Sequence, residues 1–456
     1  MSVKNKNVEM CSGPLFLNIL KFAWPFMLTD FFQRLYNAAD VVVVGRFAGQ
    51  DALAGVGTTG SITTMILNLF LGLSIGVSVV LGQALGAKND DKVHKTVHTA
   101  MFISIVAGVV VSIFGIVFAE SLLKLIDVPS NVMPHAKIYM QIVFAGKLPA
   151  LIYTFGAAIL RAKGDTRRPL YIAMISGLIN VILNLILVIC FDRGADGVAL
   201  ATTVSQIFSA IWVIRIICRD EDNTKLYIHK IKCYKGQLVD ILKVGIPSGL
   251  QSTIFAISNV IVQSSVNSFG SAAMAGSAAS SNIGGFYYGM LHTFAQTCVA
   301  FVSQNMGAKN YKRIDKTVLY CCFYVGIIWL ITALLTVFKG EALISIYAPN
   351  DANAIKMGVI RLNIVGGFYG LCGLMDVMSS ALRGTGRSLI SMIISVLGVC
   401  GIRIVWIFTV FKAVRTFNVL FYSFPISWIG TFLMHATVFL IVRRKLNQKE
   451  VNYNIL

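Results

Sequence analysis

The sequence has few charged residues. Asp, Glu, Lys and Arg together make up 13% of its 456 residues, whereas about 25% is usual in a soluble globular protein. Hydrophobic residues make up 56%, and the mean hydropathy is +0.75. A soluble fold cannot bury that much apolar surface, so the remaining apolar surface must face lipid. The composition therefore excludes a soluble globular domain, a disordered chain and a collagen-like fibre.

Paired cysteines and catalytic spacings are also missing. The nine cysteines include no Cys-x-x-Cys pair, which excludes a secreted disulfide scaffold and the common zinc sites. Two glycine motifs, at 55–60 and 72–76, match a nucleotide-binding loop and a nucleophile elbow, but both fall inside helical runs where neither can form. Gly72 and Gly76 instead predict a close helix contact. We therefore expect no enzyme activity, no catalytic residue, no organic cofactor and no metal other than Na⁺.

Long apolar runs recur along the whole chain. Each is long enough to cross a bilayer as a helix, which takes roughly 17–25 residues. They predict an all-α integral membrane protein with twelve transmembrane helices, numbered in chain order. The predicted helices cover residues 15–44, 52–85, 94–119, 133–160, 169–191, 196–218, 238–267, 273–305, 315–338, 355–382, 388–411 and 418–442. The longest polar connection, residues 219–237, is predicted to be a linker.

Positive charge is unevenly distributed between the predicted loops. Of the 39 Lys and Arg residues, 27 lie in the N-terminus, the even-numbered loops and the C-terminus, and eight lie in the odd-numbered loops. Cytoplasmic loops carry an excess of positive charge, so both termini and the linker are predicted to be cytoplasmic. The formal charge of +19 therefore reflects membrane orientation, and no nucleic-acid partner is expected.

The two halves of the chain resemble each other at a nearly constant offset. The strongest match is Gly-Ala-Lys-Asn, at 86–89 and 307–310. Other matched pairs are Pro25 and Pro247, Asn37 and Asn259, Gln83 and Gln304, and Arg161 and Arg383. Each half holds six predicted helices, so both halves insert the same way up, as in secondary transporters with a cavity between parallel repeats. We predict two six-helix lobes, residues 1–218 and 238–456, joined by the cytoplasmic linker 219–237.

The first predicted helix carries polar residues at helical spacing. Gln33, Asn37 and Asp40 lie on one face together with Asp30 and Arg34. Asp30 and Arg34 are four residues apart and are expected to neutralise each other. Asp40 has no such local cation. Because an ionisable residue inside a span is costly and usually functional, Asp40 is the main candidate for binding a coupling ion.

Amide and hydroxyl residues on predicted helices 5 and 6 are the expected partners of Asp40. Asn180 and Asn184 share one face of helix 5, and Thr202 lies in helix 6. A carboxylate among such groups can take a proton or hold Na⁺ through oxygen ligands. These four residues form the predicted coupling-ion site, and the alternative is a structural hydrogen-bond network. Further polar residues are candidates for the substrate cavity: Gln33, Asn37 and Gln206 in the first half, and Gln251, Asn259 and Asp376 in the second.

The second half has ionisable residues inside its own predicted spans. Asp376 lies in helix 10, and Arg361 and Arg403 are also within the membrane. Two interpretations stay open for Asp376. It is either a second titrating site or a counter-ion for one of these two arginines.

Three stretches resemble motifs of the multidrug and toxic compound extrusion (MATE) family in its prokaryotic form. They are QRLYNAAD at 33–40 followed by VGR at 44–46, LRAKGDTRRP at 160–169, and GVALAT at 197–202. The resemblance covers nearly the whole chain and agrees with the internal repeat. It implies a V-shaped pair of six-helix lobes that exports organic, often cationic, compounds by H⁺ or Na⁺ antiport through alternating access.

The resemblance also implies a cation site in the first lobe on Asp40 and Asn180. A second acid that is common in that site is Asn184 here, which leaves the choice between H⁺ and Na⁺ open. One branch of the family has a glutamate in the middle of helix 7. This chain has Phe255 and no acid in the membrane core of helix 7, so a Na⁺ site of that type is not expected in the second lobe.

A flippase for lipid-linked precursors is the alternative function, since relatives of the fold include such carriers. A flippase for polyanionic headgroups should show a cationic cavity, and the membrane cations here are few. The two-lobe repeat and the prolines within spans favour alternating access over a channel. The expected partners are small organic substrates and the lipid bilayer, the expected state is a monomer, and the expected location is the plasma (inner) membrane of a bacterium.

Overall fold

The computed structural model describes residues 7–48, 50–130, 132–191, 193–349 and 351–454. Most of these residues are helical and none of them forms a β-strand, which confirms the all-α prediction. The helices are α1 (Leu15–Val43, continued by the π-helical turn Val44–Ala48), α2 (Gln50–Gly86), α3 (Asp90–Leu125), α4 (Met133–Ala145 and Lys147–Ala162), α5 (Arg167–Leu185, continued by Ile186–Cys190), α6 (Ala195–Arg219), α7 (Lys235–Asn267), α8 (Ser271–Gly307), α9 (Tyr311–Ser345), α10 (Ala352–Arg361, Leu362–Gly366 and Tyr369–Gly384), α11 (Ser388–Phe411) and α12 (Phe417–Asn454).

These helices correspond one for one to the predicted spans. By length and composition ten of them could cross a membrane, or eleven when the two segments of α4 are counted as one bent span. Helix α8 is not among them, although it has 37 residues. Its first half is rich in Gly and Ser, which lower its hydropathy. Twelve helices are therefore consistent with the predicted membrane fold.

Two spans are broken near their middles. The two segments of α4 meet at Gly146 with a bend of 42°. Pro149 accounts for this break, because proline has no N–H to donate to the carbonyl four residues earlier and its ring clashes with that carbonyl, here Ala145. Helix α10 breaks around Gly366 and Gly367 without a proline, as paired small residues permit.

The glycines Gly72 and Gly76 lie at a close contact between α2 and α7. A Cβ atom added at Gly72 would lie 2.2 Å from the backbone nitrogen of Gly249, and one added at Gly76 would lie 2.5 Å from the carbonyl oxygen of Ile241. Only glycine allows backbones this near to each other. The prediction of a helix contact is confirmed, and the nucleophile-elbow pattern lies mid-helix as expected.

The repeated Gly-Ala-Lys-Asn sequence forms the same turn in both halves. Lys88 and Lys309 adopt left-handed backbone conformations, with φ of 52° and 55°. The side chains of Asn89 and Asn310 each accept a hydrogen bond from the backbone amide three residues later, which caps α3 and α9. The repeat therefore encodes two equivalent helix–turn–helix connections.

The linker after α6 is held by a buried ionic cluster. The ammonium of Lys163 contacts Asp220 and lies 3.0 Å from Asp222, and Arg168 Nη1 lies 2.6 Å from Asp220. Burial alone would raise the pKa of Asp222, but hydrogen bonds from Thr224 and the charge of Lys163 outweigh it and lower the pKa. The residues of the family-like loop at 160–169 thus fix the start of the linker.

The contacts within the chain define two compact units. Unit 1 contains residues 1–8 and 24–249, and unit 2 contains residues 9–23 and 250–456. Unit 1 includes the linker and the first part of α7, and has a core in which Leu81, Ile159 and Val213 are fully buried. The predicted lobes 1–218 and 238–456 are separated at the linker. The contacts instead place the unit boundaries inside α1, after residue 23, and inside α7, after residue 249.

Residues 9–23, the N-terminal part of unit 2, pack against helix α9 of the same unit. Arg313 of α9 donates hydrogen bonds to the carbonyls of Met10, Ser12 and Gly13 at 2.6–3.0 Å. The core of unit 2 is aromatic, with Phe421 fully buried. Nothing in the local sequence at residues 9–23 indicates this assignment, because it depends on a partner some 300 residues away.

Candidate ion and substrate sites

Helix α1 carries the polar face expected from its spacing. Arg34 Nε lies 2.8 Å from Asp30 Oδ2, so the predicted pairing of these two residues is confirmed. Gln33 and Asn37 are exposed and make no side-chain hydrogen bond with another described residue. Asp40 is half-buried one turn before the π-helical turn Val44–Ala48.

Residues of α5 and α6 surround Asp40. The fully buried Asn184 donates a hydrogen bond from Nδ2 to Asp40 Oδ1. The same Nδ2 lies 3.3 Å from Asn180 Oδ1, and Asn180 Nδ2 lies 3.2 Å from Thr202 Oγ1. The structure therefore brings together all four residues predicted for the coupling-ion site.

The Asn180 amide has a second orientation that fits this cluster better. When the amide is turned over, its Nδ2 donates to Asp40 Oδ1 at 2.9 Å. Its Oδ1 then accepts from the Thr202 backbone amide at 3.3 Å and from the Thr202 hydroxyl at 3.2 Å. Because turning an amide exchanges a donor for an acceptor, the two asparagines can present either N–H groups to a charged carboxylate or oxygen atoms to a cation.

The electrostatics of the cluster favour binding of a positive ion. No Lys, Arg or His of the described residues forms a salt bridge with Asp40. Asn184 Oδ1 is buried and has no hydrogen-bond donor in the described part of the chain. The available ligands are carboxylate, amide and hydroxyl oxygens, which suit a proton or a hard cation better than a transition metal. The described residues contain no group of three His, Cys, Asp or Glu that could hold a metal ion.

Gln206 lies apart from this cluster, beside the break in α4. A Cβ atom added at Gly146 would lie 2.8 Å from Thr203 Oγ1 and 2.9 Å from Gln206 Oε1. Thr203 donates to the carbonyl of Ile142 at 3.1 Å. Gln206 is half-buried and its side chain makes no hydrogen bond to another described residue, so its amide is available to a ligand.

In unit 2, Asp376 is buried against helix α8. Tyr288 donates to Asp376 Oδ2 at 3.1 Å, and His292 Nδ1 lies 3.3 Å from the same oxygen. His292 Nε2 lies 2.9 Å from Gln296 Nε2. If Nε2 accepts from Gln296, Nδ1 carries the proton and donates it to Asp376. Asp376 therefore belongs to a hydrogen-bonded chain along one face of α8.

The proposed counter-ions of Asp376 bind elsewhere, so that interpretation is wrong. Arg361 donates to Ser277 and Ser281 of α8. Arg403 donates to Asn259 and lies 4.0 Å from the ring of Phe424. Neither guanidinium forms a salt bridge with Asp376, although the Nε of Arg361 is buried without a hydrogen-bond partner among the described residues. The hydrogen-bond partners of Asp376 are Tyr288 and His292, and the cation whose charge acts on it is Arg383.

The remaining candidates of the second half do not join one site. Asn259 is the acceptor for Arg403 at 3.2 Å. Gln251 is buried in α7, with an Oε1 that has no partner among the described residues. The repeat counterparts of the Asp40 cluster are apolar, since the register that pairs the repeated prolines places Val262 and Phe424 where Asp40 and Thr202 stand. The two units therefore carry different polar sites.

The contribution of α8 was not predicted from the sequence. Tyr288, His292 and Gln296 recur every four residues and so share one helix face. That spacing, in a run otherwise made of small and aromatic residues, is a signal that could have predicted a polar face. The burial of Lys147 without an acidic partner in the described part of the chain was also not predicted.

Comparison with known proteins agrees with the repeat and with the fold. The MatE family model matches twice, at residues 25–186 and 247–409, so the two matches begin at the paired prolines Pro25 and Pro247. The "Probable multidrug resistance protein YoeA" of Bacillus subtilis is 24% identical over 394 residues, which cover 84% of this chain and 84% of that protein. The "Multidrug export protein MepA" of Staphylococcus saprophyticus is 20% identical over 373 residues, covering 82% of each.

Solved structures show the same fold. An outward-facing multidrug resistance MATE family transporter of the MOP superfamily superposes with a TM-score of 0.90 at 20% identity, covering 97% of this chain and 99% of that chain. A MOP superfamily transporter from Pyrococcus furiosus gives the same TM-score, identity and coverage. At this level of identity the likeness is one of fold, so the roles of individual residues must be argued from this chain.

Proposed function

The chain belongs to the MatE family, and from that premise we propose that it is a secondary multidrug efflux transporter that exports organic, often cationic, compounds in exchange for H⁺ or Na⁺. The observation that carries the ion coupling is the Asp40 cluster. It holds a carboxylate without a cationic partner in the described part of the chain, next to a buried amide oxygen without a donor. The relatives are named as multidrug resistance and multidrug export proteins, which supports outward transport and organic compounds as the substrates.

Binding of the coupling ion would act by removing charge. A carboxylate inside a span costs about 2.5–3.5 kcal/mol on insertion scales, so the ion-free state needs hydrogen-bond donors around Asp40. Asn184 supplies one and Asn180 supplies a second in its turned orientation. When a proton or Na⁺ arrives, the donors are no longer required and the amides can turn their oxygens inward. One cluster thus stabilises both the charged and the neutralised carboxylate.

Ion binding can drive transport only if the ion-bound and ion-free forms of the Asp40 cluster prefer different helix arrangements. Asp40 lies on α1, and its partners lie on α5 and α6. Pro25 interrupts the backbone hydrogen bonds of α1, which permits that helix to bend. We infer that the ion selects one position of α1 against α5 and α6, and that this selection weakens the hold on a cationic substrate.

The orientation and location follow from the charge distribution. The excess of Lys and Arg in the termini, the linker and the even-numbered loops supports cytoplasmic termini in a bacterial plasma membrane. Transport is expected to need no cofactor and to be a property of the monomer, acting through alternating access of the two lobes. Candidate substrate contacts are Gln33, Asn37, Gln206, Gln251, Asn259 and Asp376.

Transport by purified protein in liposomes tests this proposal. Vesicles with an imposed pH or Na⁺ gradient should move ethidium against its concentration, whereas vesicles without a gradient should only equilibrate the dye. Movement of ethidium under neither gradient, with fluorescent lipid-linked precursors crossing the bilayer instead, would replace efflux by the flippase alternative.

A further inference from the structure

The break in α4 places a helix N-terminus in the middle of a span. Residues 133–162 form the span, and its second half, Lys147–Ala162, has 16 residues and begins after Gly146. No side chain of the described residues caps this N-terminus, and Pro149 has no N–H. The first amides of a helix lack internal partners and form the positive end of its dipole. In transporters, the N-termini of such discontinuous helices point at anionic groups of substrates.

Lys147 is the first residue of this half-helix, and it is 4% exposed. It makes no hydrogen bond or ion pair with another residue in the described part of unit 1. Asp30 and Glu120 of this unit pair with other residues, Asp30 with Arg34 and Glu120 with lysines at the end of α3 and in α4. Asp40 forms no salt bridge with a described lysine. Side chains of a helix tilt toward its N-terminus, so the Lys147 side chain is expected to lean toward the break.

This position is unfavourable for a lysine in three independent ways. The charge is inside a membrane span, it lacks a counter-ion among the described residues, and it adds to the positive end of a helix dipole. A ligand with a negative charge at the break would compensate all three at once. Gln206 lies against Gly146 at the same place, with an amide that no described residue occupies.

The repeat shows that the break itself does not require a lysine. The counterpart of Lys147, in the register that pairs Pro25 with Pro247, is Tyr369. Tyr369 also opens a half-helix after a break, in α10. Its ring lies 5.4 Å from that of Trp428, so a neutral aromatic residue packs there. The lysine is therefore particular to unit 1.

We propose that Lys147, together with the backbone amides of Lys147 and Leu148 at the start of its half-helix, binds the ionised carboxylate of a transported compound within unit 1. The inference rests on the proposed efflux function for its substrate, but the binding step is independent of ion coupling.

A dye and its ester separate the carboxylate from the rest of the ligand. Rhodamine B carries a free carboxylate, and its ethyl ester has the same cationic ring system without it. Binding of both would be measured by fluorescence titration of the purified protein in detergent, and efflux of both in liposomes. The variants are Lys147→Met, Lys147→Arg, and the matched control Lys137→Met, which removes a lysine from the first half of the same span. Gel filtration confirms that each variant is folded.

We expect Lys147→Met to weaken binding of rhodamine B by about tenfold or more, as for loss of a charged hydrogen bond, and to change binding of the ester by less than about twofold. Lys147→Arg should keep most of the affinity, and Lys137→Met should change neither dye. Equal effects of Lys147→Met on both dyes, or no binding of rhodamine B by the unmodified protein, would overturn the inference. Selective binding without transport of either dye would uphold the site and remove the efflux proposal.

Discussion

Replacement of Asp40 by asparagine is the most direct test of ion coupling. The substitution preserves the size of the side chain and one acceptor oxygen for Asn184, but it removes the charge and the proton-binding group. The hydrogen bond from Asn184 weakens from about 1.5–3 kcal/mol for a charged acceptor to about 0.5–1.5 kcal/mol for a neutral one. Removing a charge from the membrane returns about 2.5–3.5 kcal/mol. The variant should therefore insert and fold.

The magnitude of the functional effect follows from the gradient. If one H⁺ is exchanged for one monovalent cation, a difference of about two pH units can support about a hundredfold accumulation of dye, since each pH unit corresponds to about 1.4 kcal/mol. Without a site for the proton, Asp40→Asn can only equilibrate the dye, so the accumulation ratio should fall to about one. Exchange of labelled for unlabelled dye without a gradient should persist.

Dye accumulation in liposomes with imposed pH and Na⁺ gradients is the measurement. Asp30→Asn provides the matched control, because it makes the same chemical change at an earlier position on the same helix, in an acid already paired with Arg34. The control should retain most of the accumulation. Gradient-driven accumulation by folded Asp40→Asn protein at the unmodified level would refute the assignment and move the coupling site to the Asp376 chain of unit 2.

Three further outcomes are expected. Asn180→Ala should weaken accumulation less than Asp40→Asn, since it removes a neutral ligand while Asn184 remains, and an equal loss in the same liposome assay would contradict this ranking. The lowered pKa of Asp222 means that its stabilising contribution is present above the ordinary carboxyl pKa of about 3.9 and is lost as the pH falls through the lowered value. Protease cleavage within the linker should thus stay constant from about pH 7 to about pH 5 and increase only below about pH 4, whereas an increase near neutrality would count against the ionic cluster. A cysteine introduced by Lys225→Cys should react with an impermeant reagent only from the cytoplasmic side of the membrane, and labelling from outside alone would reverse the predicted orientation.

Some features were predictable because their signals are local. Polar residues spaced three and four apart in an apolar helix must share a face, which is why the neighbourhood of Asp40 and the pairing of Asp30 with Arg34 could be predicted before the structure. The repeated Gly-Ala-Lys-Asn turn is also local, since the left-handed lysine and the capping asparagine are adjacent in the chain. The family-like stretches then associated Asp40 with Asn180, and the structure places them together.

The sequence by itself therefore determined that this protein lies in lipid. It also determined the number and order of the helices, their repeat and the residues of the Asp40 cluster. The tertiary structure decided which residues Asp376 contacts, that Lys147 has no partner in the described part of its unit, and that residues 9–23 pack with unit 2. These features depend on the rotation of each helix about its axis and on contacts across the chain, such as the 84 residues between His292 and Asp376. In a membrane protein the faces toward lipid and toward other helices are both apolar, so hydrophobic patterning does not set that rotation. Packing of particular side chains sets it instead.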